Sequence, residues 1–316
     1  MSKPAILFTV SGWDPTPWVD AVKAGDPERR VFVAPDVPDP ASIAYALAWK
    51  PAPGGLTGLP NLKAIFSLGA GVDHLTFRND LPDVPIVRVV DPDLTERMVE
   101  WVVLQVLIHH RRQRLYDRQQ RERIWKERRQ PAAHDLRVGI MGMGVLGKAS
   151  ARALAGLGFQ LAGWSRHGSQ VPDVESFAGK DGLDTFLQRT DILVCLLPLT
   201  EATRGILSAR LLETLAQDSP PGMPVLINAG RGGLQVEADI IAALQAGTLK
   251  GASLDVFETE PLPAASPLWG MDNVVITPHA AAASTAAALV PGMLREIAAF
   301  EAGAPLTNLV DRKAGY

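Results

Sequence analysis

Arg137-Val138-Gly139-Ile140-Met141-Gly142-Met143-Gly144-Val145-Leu146-Gly147-Lys148-Ala149-Ser150-Ala151 is the stretch whose reading decides the fold. Residues 137–141 have the apolar character of a buried strand, and 148–154 continue as a helix. Between them Gly142, Gly144 and Gly147 stand at GxGxxG spacing. The first glycine permits a tight turn, the second lets the backbone approach a pyrophosphate, and the third lets helix and strand pack closely. The helix N-terminus then points at the phosphates, and Val145 and Leu146 join the glycines as expected cofactor-binding residues. The spacing alone is weak evidence. Set between a strand and a helix, with a second strand at 160–164 about 20 residues on, it marks a dinucleotide site.

That second strand ends at Ser165-Arg166-His167, where an NAD-preferring site usually carries an acid for the ribose hydroxyl. A serine can hydrogen-bond a 2′-phosphate and an arginine can pair with it. The expected cofactor is therefore NADP(H), with NAD(H) as the alternative.

Outward from this unit, short β-rich runs alternate with helical stretches over nearly the whole chain, the pattern of βαβ units and parallel sheets. Candidate strands on the N-terminal side are 5–10, 30–33, 43–49, 62–68 and 86–90, with a Pro/Gly loop at 51–55. A helix runs from about Thr95 to Arg114, its apolar face given by Met98, Trp101, Val102, Leu104, Gln105 and Ile108 at helical spacing. The second series has strands at 136–141, 160–164, 192–197, 224–228, 251–256 and 274–277, six in all, as in a full doubly wound sheet. An Ala-rich helix over 284–302 is expected to return to the first domain and make it discontinuous.

The 316 residues suit two domains, and a 47% hydrophobic, 21% charged composition is that of a globular protein. A net charge of −3 gives no global electrostatic case for nucleic acid or an anionic membrane. The run 111–129 holds nine Arg and Lys residues against three acids. Without a nucleic-acid-binding motif it reads as a solvated helix and loop between domains. The single cysteine, Cys195, excludes an intramolecular disulfide, and its apolar surroundings make it a small buried hydrophobe. The apolar start, residues 5–10, is too short for a secretory signal, and no run reaches the length of a membrane span. The expected location is the cytoplasm.

Three groups near strand ends suggest chemistry. Arg231 follows strand 224–228, where ligands bind in a doubly wound sheet, and its fork suits a carboxylate with a keto oxygen beside it. Glu260 follows strand 251–256, and His279 follows strand 274–277. A histidine paired with a carboxylate keeps its proton near neutral pH and can deliver it to a forming alkoxide. Each has a bland alternative: a surface ion pair, a helix-cap neighbour, a satisfied loop histidine. The other five histidines, at 74, 109, 110, 134 and 167, are assigned no chemistry, and no His/Cys/Asp/Glu grouping has metal-ligand spacing.

Taken together these segments resemble the D-isomer-specific 2-hydroxyacid dehydrogenases, more narrowly their glyoxylate/hydroxypyruvate reductase A group. The resemblance spans essentially the whole chain, from Leu68-Gly69-Ala70-Gly71-Val72-Asp73 through Trp164-Ser165-Arg166, Leu196-Leu197-Pro198, Leu254-Asp255-Val256-Phe257 and Glu260-Pro261-Leu262-Pro263 to Thr277-Pro278-His279. It implies an α/β protein with two doubly wound parallel sheets. A dinucleotide-binding Rossmann domain, 101–284, would be inserted in a flavodoxin-like substrate domain, 1–100 with 285–316. It implies that Arg231 binds and polarises a 2-oxo acid, that His279 is the general acid, and that Glu260 supports it. Leu197, Pro198, Ala229 and Asp255 join the cofactor site, Asp255 near the nicotinamide. The backbone of Ala70, Gly71 and Val72 receives the substrate carboxylate, and Trp49 lines the substrate pocket. Homodimers with the long helix at the interface are also implied.

The sequence departs from the family at the arginine loop, Gly230-Arg231-Gly232-Gly233, where extra glycines are expected to loosen the chain. Two rival readings stand beside the reductase. One is a dehydrogenase for bulkier 2-oxo acids. The other is a non-catalytic dinucleotide sensor of the same fold, against which Ser165-Arg166 counts.

Overall fold

A computed structural model describes residues 3–220 and 222–316. The chain divides into two compact units, residues 1–94 with 284–316, and residues 95–283 between them.

In the first unit the strands are β1 (Ala5–Val10), β2 (Val31–Val33), β3 (Ile43–Trp49), β4 (Ala64–Ser67) and β5 (Ile86–Val87). They pair in the order β2-β1-β3-β4-β5, all parallel, the flavodoxin-like doubly wound order. β1, β3 and β4 are buried along nearly their whole length, as parallel strands covered on both faces must be. The C-terminal helix Ala286–Glu301 buries Leu289, Val290, Met293 and Ile297 against the same core as Trp18 and Val22 of the helix Thr16–Gly25. Arg29 is buried and tied to Asp26 and to Glu301 at 2.8 and 2.9 Å, fixing the end of that C-terminal helix against the unit.

The second unit holds β6 (Arg137–Met141), β7 (Gln160–Ser165), β8 (Val174–Ala178), β9 (Ile192–Cys195), β10 (Val225–Asn228), β11 (Gly251–Leu254) and β12 (Val274–Ile276). Their order, β12-β11-β10-β9-β6-β7-β8 and all parallel, is the Rossmann order extended by one strand. The expected two doubly wound sheets are thus both present, but the second has seven strands rather than six. The strand that the sequence hid is β8. It lies on the sheet edge with its residues half-buried or exposed, so it carries no run of apolar residues.

Two other expectations are corrected. The long helix runs from Pro92 to His110 and stops where Arg112 adopts a left-handed φ of 54°. A separate helix, Gln113–Glu122, comes next. The basic run 111–129 does not lie between the two units but within the second one. Arg121 and the Arg114 side chain reach Asp272, at 3.4 and 3.1 Å. The second unit begins at Thr95 because Met98, Trp101 and Val102 are buried with β6 and β9.

The register of the second sheet levels the strand ends. Trp164, Met141, Cys195, Asn228, Leu254 and Ile276 are Cα partners in one row across β7, β6, β9, β10, β11 and β12. Every segment singled out for chemistry in this unit leaves its strand just beyond that row. β6 and β9 are neighbours whose chains leave toward opposite ends of the sheet, the switch point at which such sheets bind ligands.

The glycine turn is set by packing. Gly142 has φ +100°, and a Cβ there would lie 2.6 Å from the Leu196 carbonyl oxygen. A Cβ on Gly147 would lie 2.1 Å from the Gly142 carbonyl oxygen, so the helix Val145–Gly156 approaches the loop as only glycine allows. Gly147→Ala should force helix and loop apart and destabilise the protein by about 1–3 kcal/mol, as overpacking usually does. Denaturant midpoints of parent and variant measure this, and equal midpoints would show that the helix can shift freely.

Candidate active site

In the second unit, the glycine loop leaves an open cradle. A Cβ on Gly144 would meet nothing within 4 Å, and Gly144 and Val145 are exposed. No side chain caps the helix. Among the described residues the amides of Val145, Leu146 and Gly147 have no acceptor in the chain. These are the free donors of a helix N-terminus, suited to phosphate oxygens. Leu197 and Pro198 follow β9 beside the loop, and Ala229 follows β10, each just past the common row. Ser165 and Arg166 lie at the end of β7, half-buried and exposed. The Ser165 carbonyl accepts from the amide of Gly179, and the Trp164 indole N–H donates to the Gly179 carbonyl at 2.8 Å. The hidden strand β8 therefore fixes this turn.

His279 and Glu260 are brought together. The imidazole Nδ1 lies 3.0 and 3.2 Å from the two Glu260 carboxylate oxygens, with both side chains about one-third exposed. An ionised carboxylate only accepts, so Nδ1–H donates and Nε2 is left for a ligand. Glu260 Oε1 also accepts from the Phe257 amide at 3.2 Å.

His279 has a left-handed φ of 54°, unusual for a residue with a Cβ. Asp255 holds that turn. Its buried carboxylate accepts from the Thr277 hydroxyl at 2.5 Å, the Ala280 amide at 2.9 Å and the Ala281 amide at 3.1 Å, while its own carbonyl accepts from the His279 amide at 2.8 Å. The sequence points Asp255 only toward the cofactor and does not single out Thr277. A Thr two residues before the histidine carries no signal of its own.

Arg231, half-buried, follows β10, and its Nη1 donates to the Gly230 carbonyl at 2.8 Å. The segment forms a 3-10 turn over Gly232–Leu234, closed by Leu234 N–H to the Arg231 carbonyl and Gln235 N–H to the Gly232 carbonyl. A Cβ on Gly232 would lie 1.8 Å from the Phe257 carbonyl oxygen, so this glycine answers a close backbone approach.

The first unit carries its own candidate residues. Trp49 ends β3, and its ring covers Gly69, where a Cβ would fall 2.2 Å from the indole. It lies against the His74 imidazole, with ring centroids 4.6 Å apart and the planes tilted by 51°. The Ser67 hydroxyl donates to the Gly69 carbonyl at 2.8 Å. Among the described residues the amides of Ala70, Gly71 and Val72 have no protein acceptor, which suits them to an anion.

Other titratable groups are quiet. Burial pushes the Cys195 thiol up to about 12, which keeps it protonated. Burial, with Arg114 nearby, pushes His109 down to about 4, and its Nε2 lies 2.8 Å from the Ser253 hydroxyl.

A Rossmann sheet with a phosphate cradle, an arginine loop and a histidine–carboxylate pair along one edge defines a dinucleotide-dependent oxidoreductase. The family model of the D-isomer specific 2-hydroxyacid dehydrogenase NAD binding domain matches residues 103–281, and the chain belongs to that family. It is 42% identical over 319 residues to the glyoxylate/hydroxypyruvate reductase A of Escherichia fergusonii, covering 98% of this chain and 99% of that protein. Among solved structures it is similar to the NADPH-dependent glyoxylate/hydroxypyruvate reductase of Sinorhizobium meliloti in complex with NADP and sulfate, with TM-score 0.94 and 48% identity over 99% of this chain and 100% of that one. A D-isomer specific 2-hydroxyacid dehydrogenase of Xanthobacter autotrophicus Py2 in complex with NADPH and MES gives TM-score 0.94 and 41% identity over the same shares.

Glu260→Gln keeps the outline of the side chain but removes the charge that faces His279. A charge-assisted hydrogen bond is worth about 1.5–3 kcal/mol, so turnover of a 2-oxo acid should fall about 10- to 150-fold. His279→Ala should lower kcat further, by about 10²–10⁴, with dinucleotide binding kept. Steady-state kinetics and dinucleotide titration measure both; parental turnover in Glu260→Gln would confine Glu260 to holding Phe257.

Proposed function

We propose that this protein reduces small 2-oxo acids with NADPH, glyoxylate to glycolate and hydroxypyruvate to D-glycerate. The observation that carries the reading is the hydrogen-bonded Glu260–His279 pair on the same sheet edge as the glycine loop and Arg231. When bound, NADPH supplies the hydride. Gly142, Gly144, Val145, Leu146 and Gly147 would hold its pyrophosphate, and Ser165 and Arg166 its 2′-phosphate. Leu197, Pro198, Ala229 and Asp255 complete that site. The relatives solved with NADP or NADPH support this choice of cofactor.

Arg231 neutralises and orients the 2-oxo carboxylate and draws charge toward the keto oxygen. His279 gives its Nε2 proton to the oxygen as it becomes an alkoxide. Glu260 stabilises the imidazolium before that transfer and fixes the orientation of the ring. The amides of Ala70, Gly71 and Val72 receive the carboxylate, and Trp49 bounds the variable part of the substrate. The first unit is accordingly the substrate domain and the second the dinucleotide domain. We place the enzyme in the cytoplasm.

A homodimer through the helix Pro92–His110 is part of this reading. Leu104 on that helix is 53% exposed, and Trp125, farther along the chain, is fully exposed. Sedimentation at micromolar concentration should give twice the 33.9 kDa of one chain, and a species of one chain's mass would exclude the dimer.

The deciding experiment is a panel of 2-oxo acids with NADPH and NADH. NADPH should be preferred, with glyoxylate and hydroxypyruvate among the best acids. Arg166→Ala should lose roughly 10- to 150-fold in kcat/KM for NADPH, the worth of a charge-assisted phosphate contact, and little for NADH. Trp49→Ala should change the ratio of hydroxypyruvate to glyoxylate. Equal kinetics with both cofactors in the parent would refute the assignment of Arg166, and an unchanged substrate ratio that of Trp49.

A further inference from the structure

Two amide side chains, Asn228 and Gln235, are buried at 0% and 2% exposure beside Leu226, Leu234 and Leu254. Buried amides are unfavourable unless hydrogen-bonded. These two are joined to each other and to the chain on both sides. Asn228 Oδ1 accepts from the Gly230 amide at 3.0 Å. Its Nδ2 donates to the Arg231 carbonyl at 3.3 Å and to Gln235 Oε1 at 2.9 Å. Gln235 Nε2 donates to the Val256 carbonyl at 3.1 Å. The next residue, Phe257, gives its amide to Glu260, and Glu260 holds His279.

The need for such bonds comes from the glycines around Arg231. A Cβ on Gly230 would lie 2.6 Å from Leu234 Cδ1 and 2.8 Å from the Leu197 carbonyl oxygen, and Gly232 is closer still to Phe257. Side chains are excluded there, and glycine leaves the backbone with the most freedom to lose. We propose that Asn228 and Gln235 act as positioning residues, a buried amide brace that aims Arg231 at the 2-oxo acid and keeps it in register with the loop of Glu260. The inference rests on Arg231 being the substrate anchor.

Gln235→Met keeps the length of the side chain and removes its hydrogen bonds to Asn228 and Val256. With the holoenzyme, KM for glyoxylate should rise and kcat fall, each roughly three- to tenfold, as for a lost neutral hydrogen bond. The inhibition constant of oxamate, an unreactive 2-oxo acid analogue, should rise with KM, while KM for NADPH stays within about twofold. In an Arg231→Lys background the same substitution should cost less than about twofold, because no fork remains to be aimed and the two effects are not independent. Gln235→Glu supplies an internal rescue. Protonated, the carboxyl can donate to Val256 and accept from Asn228; ionised, it cannot donate. Its kcat/KM relative to the parent should therefore fall as pH rises between about 5 and 8, the range of a buried carboxyl. This series carries the test if Gln235→Met does not fold. Parental glyoxylate kinetics in Gln235→Met, a flat relative profile in Gln235→Glu, or equal fold-losses with Arg231 and with Lys at 231 would each overturn the brace. If Arg231→Lys alone leaves glyoxylate kinetics at parental values, the anchor role fails, and the brace falls with it.

Discussion

Parallel pairing is the constraint on which the second unit depends. Strands that all run one way must be joined by crossovers, so each chain segment leaving a strand emerges on the same edge. The register then does the rest. Met141, Cys195, Asn228, Leu254 and Ile276 end level with one another, and residues from Gly142 to His279 become neighbours although the chain visits them one strand at a time. No local motif could gather a phosphate cradle, an arginine and a histidine–carboxylate pair at so little conformational cost.

Close approach of backbones is the second constraint. Gly142 lies against Leu196, Gly147 against Gly142, and Gly232 against Phe257. Each contact draws one strand-end segment onto the next. The glycines that make a segment thin also make it floppy, so each must be fixed by something other than its own side chain. At the first loop the helix Val145–Gly156 does this; at the arginine loop two buried amides do.

Much of this architecture was legible in the sequence because burial and periodicity leave marks. Strands covered on both faces are apolar runs, and β1, β3, β6, β9 and β10 were all visible as such. The glycine spacing, the serine–arginine turn and the histidine near an acid were visible because their chemistry is unusual at strand ends. The hidden features share the lack of any pattern that would mark them. β8 is an exposed edge strand. The break at Arg112 depends on one backbone angle in a run of good helix formers. Asn228 and Gln235 look like ordinary polar residues, and only the fold buries them and joins them to each other.

The polar groups of the second unit thus fall into two sets distinguished by burial. Asp255, Asn228 and Gln235 are buried, and apart from the Thr277 hydroxyl that Asp255 accepts, the hydrogen bonds described for them go to main-chain turns or to one another. His279 and Glu260 remain about one-third exposed, and Arg231 half-buried. Groups that must meet a ligand cannot spend all their bonding capacity inside the protein, because a satisfied donor gains little by exchanging partners. Groups that hold a strained backbone must do the opposite. The left-handed turn at His279 persists because Asp255 binds the amides on its far side and takes none of the imidazole's capacity. The more exposed set therefore keeps its geometry only insofar as the buried set fixes the backbone beneath it.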